Sequence, residues 1–270
     1  GVDPYYHVQV SKLGTEIFSK KFPWVQKSLW FQNFGDKEFL FHVYLMPFVI
    51  LFGDFTGAKF ATVLLDAAVF TAFYWVCSRR RVTVPFLWVF VLLAASELFL
   101  FRICMTRPHV LSLLLTLLLC EFLLQGRVWA VAGLCAVFAL AYTAYHLAVG
   151  FAVLFCLNLW MHRKTWNATL ISYALMGTLI GIVLHPHFPN NVLIWKVQNF
   201  DVLKLNWSNI NLGFGGELSP MPGRGFVSES ALAFFLSPAL LFGAAWKKAD
   251  LSADTTFFLF LSFGFLCLTM

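Results

Sequence analysis

Asp3-Pro4-Tyr5-Tyr6-His7 sets a carboxylate, a rigid turn and three ring side chains just ahead of strongly apolar sequence. A carboxylate within hydrogen-bond reach of a hydroxyl can take its proton, so Asp3 is the candidate base, with His7 beside it as a catalytic residue and Tyr6 as a binding residue. A second constellation is Arg102-Ile103-Cys104-Met105-Thr106-Arg107-Pro108-His109. Its two guanidiniums and one imidazole are donors suited to a phosphate or pyrophosphate. His185-Pro186-His187 leaves an apolar run and is a third candidate for phosphate. Two histidines two apart on a Pro-containing turn are a weak metal signal. Each constellation also has a plainer account: Asp before Pro commonly starts a turn, and arginines at a helix end hold lipid headgroups.

Long apolar elements must position these groups. Of 270 residues 60% are hydrophobic and 12% charged, mean hydropathy is +0.78, and several runs approach the ~20 residues a helix needs to cross a bilayer. The pattern predicts an all-α polytopic membrane protein with spans at 58–77, 85–101, 110–124, 128–145, 147–160, 168–184, 230–246 and 255–270. The run 39–52 is short, contains Pro47 and carries His42, which favours an interfacial or re-entrant helix. If it does not cross, Arg79-Arg80-Arg81, Arg127, Arg163-Lys164 and Lys247-Lys248 share one side, which the positive-inside rule makes cytoplasmic. Residues 1–57 and 185–229 are then outer segments, flanking a core at 58–184, with further spans at 230–270. The last apolar run stops without a polar tail and the first residues are already loop-like, as expected of a chain missing sequence at both ends. The six cysteines lack CxxC spacing and mostly sit in apolar runs, as small hydrophobes do. The net charge of +6 is carried by inner-loop and interfacial lysines and arginines, and gives no support to nucleic-acid binding.

The first outer segment interleaves Val8, Leu13, Ile17, Phe18, Trp24 and Trp30 with Lys12, Lys20, Lys21 and Lys27, the composition of helices lying in a membrane interface. With Asp3 to His7 at its head, this layout resembles the GT-C membrane glycosyltransferases. These include the oligosaccharyltransferase catalytic subunit and the aminoarabinose and protein O-mannosyl transferases, and their first outer loop opens on an acidic residue, often in a DPxYH-like motif. The resemblance implies a GT-C-like helix bundle with interfacial helices in the first outer loop. It implies inverting transfer of a sugar from a polyprenyl-phosphate donor to a glycan, lipid or protein acceptor, in a multi-pass protein of a bacterial inner membrane with its site on the periplasmic, extracytoplasmic face. Asp3 would deprotonate the acceptor, while Arg102, Arg107 and His109 stabilise charge on the departing phosphate. Two family features are missing: the acidic motif of the next outer turn, replaced by 102–109 without a carboxylate, and the WWDYG signature. A divalent metal is therefore not favoured, and no metal ligands are assigned.

Other polar residues have structural accounts. Glu97 and Asp66 stand in apolar runs, where ionisable groups are costly, and pairing with neighbouring helices is the simpler role for both. Asp36, Glu38 and His42 could add a second carboxylate to Asp3, yet read more simply as a helix N-terminal cap. Tyr145-His146 could line a cavity. The segment 186–229 is rich in Asn, Gly, Pro and aromatic residues, and a loop of that length suits a lid or sugar-stacking role. It holds no GxxxxGK[ST] phosphate loop, and its sequon Asn206-Trp207-Ser208, like Asn167-Ala168-Thr169, is a chance match. The alternative class is a polytopic transporter or lipid-binding scaffold without catalysis, although no internal repeat of the transporter kind is visible.

Overall fold

The structure is a computed structural model that describes residues 3–22, 26–28, 30–94 and 97–207, together with Thr255 and Phe257. Among the described residues the fold is an all-helical bundle. Its helices are α1 (Asp3–Ser11), α2 (Trp30–Asn33), α3 (Phe39–Phe52), α4 (Asp54–Arg79), α5 (Pro85–Leu93), α6 (Glu97–Ile103), α7 (Pro108–Leu124), α8 (Val128–Ala141), α9 (His146–Arg163), α10 (Ala168–Leu184), α11 (Asn190–Lys196) and α12 (Val202–Trp207). A 3₁₀ turn, Gly14–Phe18, follows α1, and a π-helical turn, Val197–Asp201, joins α11 to α12. The expected spans at 230–246 and 255–270 lie outside the described residues, apart from Thr255 and Phe257, which are helical.

Sequence explains most of the helix ends. The α3–α4 connection is the single residue Gly53, at φ 81°, a left-handed conformation open to glycine at little steric cost. Pro85 and Pro108 start α5 and α7, where a missing N–H costs nothing. One expected span, 85–101, is two helices instead: α5 ends with Ala94 as its cap, and Glu97 stands in the first turn of α6. A carboxylate suits a helix N-terminus, and Glu97 is exposed there. The run expected over 128–145 stops at Ala141, because Tyr142 is extended. Among the described residues only α4 is both long and apolar enough to cross a membrane by itself, and α3, α7, α8 and α10 are shorter apolar helices.

Among the described residues two large apolar clusters hold the bundle, and a small third one, Val10, Ile17 and Phe39, packs α1 and the 3₁₀ turn on α3. The larger joins α7, α8, α9 and α10 through Leu119, Leu123, Cys135, Phe138, Phe155 and Leu170. The other joins α1, α3, α4 and α7 through Val8, Phe41, Leu45, Leu65, Val69 and Val110. The tightest approach is between α8 and α10, where a methyl placed on Gly177 or Gly181 would collide with the Ala132 or Ala136 carbonyl. Four-residue spacing puts these glycines on one helix face, the small-residue arrangement that lets apolar helices touch backbone to backbone.

The two ends of the bundle differ chemically. At one end Glu121, fully buried, accepts from Arg80 Nε at 2.7 Å and pairs with Arg79 Nε at 3.0 Å, clamping α4 to α7. Arg127, Arg163 and Lys164 fall at this end too, by the alternation of α7 to α10. The other end carries α1, the α6–α7 turn, the α8–α9 turn and the segment after α10.

Candidate functional site

The site is built around one residue, Asp36. It lies between α2 and α3 with no exposed surface, and each of its polar groups is committed. Oδ1 accepts from the Glu38 amide at 3.0 Å, the local turn that starts α3. Oδ2 accepts from His42 Nδ1 at 2.7 Å, and the Asp36 amide donates to His187 Nδ1 at 3.1 Å. Burial alone would raise the pKa of this carboxyl. It is outweighed by the charge and hydrogen bond of His42, the Glu38 amide and the His187 charge, which together hold the group below the usual carboxylate range.

With His42 Nδ1 donating to Asp36, His42 Nε2 faces His7 Nδ1 at 2.8 Å. One proton is shared across that contact. Where His7 holds it, the outer His7 nitrogen Nε2 keeps a lone pair, so Asp36, His42 and His7 form a chain that can pass a proton from the bundle's end to a buried carboxylate. Burial first, then the His42 charge and the nearby Lys37 and Arg107, push the His7 pKa down to about 3 against the opposing pull of Asp36. His7 therefore stays neutral. Burial, with Asp36 adding, raises the Glu38 carboxyl despite Lys37 and His42, and Lys37 Nζ stands 3.4 Å from Glu38 Oε1. Burial likewise raises the Tyr6 phenol, which stays protonated.

These groups open onto a cavity of about 250 Å³ lined by Tyr6, His7, Lys37, Glu38, Arg107, Pro108, His109 and Tyr142. Two cationic side chains, a carboxyl, two imidazoles and two phenols give it the makings of an anion site with acid and base functions. Beside it lies an apolar cavity of about 400 Å³, lined mainly by Phe99, Ile103, Val110, Leu113, Phe138 and Phe151, with Arg102 at its rim. His109 and Tyr142 belong to both walls.

Of the residues singled out in the sequence, Tyr6, His7, Arg107 and His109 meet at the polar cavity. Arg102 does not: its side chain is exposed and lines the apolar cavity, while its carbonyl accepts from His109 Nε2 at 2.9 Å. Asp3 opens α1 one turn before His7, and its side chain lies outside what the structure describes. His185 and His187 line neither cavity. They are buried behind Asp36, where His187 Nε2 donates to the Ile17 carbonyl at 2.7 Å and His185 Nδ1 accepts from the His187 amide at 3.1 Å. With Lys20 Nζ donating to the Phe188 carbonyl and Asn190 Nδ2 to the Phe34 carbonyl, they stitch the segment after α10 onto the first segment. Tyr145 is buried and stacked on Trp195, and His146 accepts from Trp195 Nε1. Lys37 and Tyr142 had no sequence signal, since neither belongs to a motif.

His185 and His187 give the fold an acid limit. Both use Nδ1 as an acceptor from a backbone amide, so protonating either breaks a hydrogen bond. Burial lowers both pKa values, that of His185 to about 4, against an unperturbed 6.5. Between those values the unfolded chain binds a proton that the folded chain does not. Their stabilisation is therefore complete above about pH 6.5 and declines as pH falls toward 4, by about 1.4 kcal/mol per pH unit for each histidine still neutral. Thermal unfolding in detergent should show the melting temperature falling steadily below pH 6.5; a flat profile down to pH 4.5 would contradict this role for His185 and His187. Compared with protein families, curated proteins and solved structures, the chain matches none.

Proposed function

We propose that the chain is an integral membrane glycosyltransferase of the GT-C kind. It moves a sugar from a polyprenyl-phosphate donor to an acceptor hydroxyl at the extracytoplasmic face, with inversion and with Asp3 as base. The observation that carries this reading is the paired cavity: a polar chamber holding Arg107, Lys37 and His109 shares the wall His109–Tyr142 with an apolar chamber. A lipid-linked phosphate needs both, one for its charged head and one for the first isoprene units. Arg107 and Lys37 stabilise negative charge growing on the leaving phosphate. His109 donates to the Arg102 carbonyl, which holds its ring at the junction of head and chain.

Membrane insertion is supported by the exposed surface of α4, where Phe55, Val63 and Leu64 are 63%, 62% and 43% exposed, and by Phe86 and Leu87 of α5 at 61% and 55%. Large apolar side chains exposed along two helices are costly in water and natural in lipid. The bundle end rich in arginine then faces the cytoplasm, and the cavity opens on the opposite side.

The test is native mass spectrometry of the protein in mild detergent with added polyprenyl phosphate. Binding should be retained through the detergent exchange and weakened roughly 10-fold or more by Arg107→Gln, since a charge-assisted contact to phosphate is worth about 1.5–3 kcal/mol. Retention of bulk phospholipid alone, indifferent to Arg107, would overturn the donor assignment and leave a transporter or scaffold.

A further inference from the structure

We propose that His7, Glu38 and His42 bind a first-row divalent cation. One nitrogen or oxygen from each residue lies within 4.8 Å of the others, and all three residues are buried. They come from α1, from the residue before α3 and from the first turn of α3, so only the folded chain assembles the set.

Three observations point to an ion rather than to hydrogen bonding alone. Glu38 Oε2 is buried and has no hydrogen-bond partner among the described residues, although Glu38 is only 4% exposed. A buried carboxylate oxygen without a partner is costly, and Glu38 lines the polar cavity, so it has both a need and a place for a ligand. Next, His42 Nδ1 is fixed on the Asp36 carboxylate at 2.7 Å, which presents Nε2 toward His7. A carboxylate behind a histidine, orienting the ring and raising the basicity of its other nitrogen, is the usual support of a metal-bound imidazole. Composition is the third: Asp36 and Glu38 bring two carboxyl groups to one buried place beside the two imidazoles, and a divalent cation is a counter-charge that both can share.

The donor set is two imidazoles and one carboxylate with an open side on the cavity. That combination suits Zn²⁺ and neighbouring first-row ions better than Mg²⁺ or Ca²⁺, which prefer all-oxygen sites. Two nitrogens on one tetrahedral ion stand about 3.3 Å apart, so the His7 and His42 rings, now 2.8 Å apart at Nδ1 and Nε2, must part by about half an ångström and give up their shared proton. The ligands belong to the first segment and owe nothing to 102–109, the turn whose lack of a carboxylate argued against a metal.

The inference does not depend on the transferase reading, and its test measures metal, not transfer. The full chain in detergent is stripped with a chelator and desalted, then given ZnCl₂ or MnCl₂, desalted again and analysed for metal content and thermal unfolding. The wild type should retain about one ion per chain and melt higher with Zn²⁺ than with chelator. His7→Gln and Glu38→Gln, which keep volume, should lose the ion and the shift. Asp36→Asn should weaken affinity by roughly 10–100-fold, because an amide nitrogen cannot accept from His42 Nδ1. His146→Gln, outside the set, should leave binding intact and serves as the control. Retention below about a tenth of an ion per chain, or an ion held equally by His7→Gln and Glu38→Gln, would overturn the site and leave the cluster a hydrogen-bonded network.

Discussion

Gly177→Leu will leave little folded, monodisperse protein to recover from detergent, and what survives will melt lower by about 10 °C or more. The cause is backbone contact, not side-chain fit. A methyl at Gly177 already meets the Ala132 carbonyl and carbon atoms of that same residue, and one turn on, Gly181 repeats the contact at Ala136. Overpacking elsewhere costs about 1–3 kcal/mol because a neighbouring side chain can shift. Here the neighbour is helical backbone, so α8 and α10 must separate along their length, and their cluster of Val131, Cys135 and Ala174 must open with them. Gly150 in α9 is the control, since a Cβ there meets no atom of the described residues within 4 Å. Size-exclusion profiles and melting curves of the two leucine variants decide the point. Equal behaviour would show that the α8–α10 approach is not what holds the bundle.

Gly177 also illustrates what was legible in the sequence. Its four-residue spacing from Gly181 is plain in the chain, but only the facing alanines of α8 make it a contact. Helix bounds were legible where an apolar run ends on a clear breaker: α3 and α10 span 39–52 and 168–184, the runs read from composition. They were not legible at 85–101, where uniform hydropathy hides the break that Glu97 marks. The functional cluster divides the same way. The Asp36 contact to the Glu38 amide is local, two residues along the turn that leads into α3, although α3 itself has no side-chain cap. The bonds of Asp36 to His187 and, through His42, to His7 join residues 151 and 35 positions apart, and no periodicity encodes that. For the same reason His185 and His187 read as loop ligands for phosphate, although their lone pairs are taken by backbone amides. Arg107 and Arg102 looked equivalent in one turn, yet the start of α7 turns the first inward and leaves the second exposed.

On the proposed transferase reading, Asp3→Asn should lower sugar transfer by about 10²–10⁴-fold, the usual worth of a positioned general base, while leaving donor lipid binding unchanged. Backbone geometry supports the assignment: Asp3 is the first residue of α1 and His7 stands one turn further on, at the wall of the polar cavity. Pro4 at the second helical position fixes the chain there, so an isosteric amide should disturb neither α1 nor the His7–His42 contact. What it removes is charge. A carboxylate can accept the acceptor hydroxyl's proton as that oxygen attacks the anomeric carbon and the phosphate departs, whereas an amide cannot. The chemistry also separates base from anion site. On that reading Arg107→Gln should weaken donor binding through the leaving phosphate, whereas Asp3→Asn should act only as the bond forms and lower turnover at saturating donor. The measurement is transfer from an added polyprenyl-phosphate sugar in proteoliposomes, alongside lipid binding by native mass spectrometry. Near-normal transfer by Asp3→Asn would remove Asp3 from the mechanism. The neutral His7, its lone pair backed by His42 and Asp36, would then be the base that remains at the cavity.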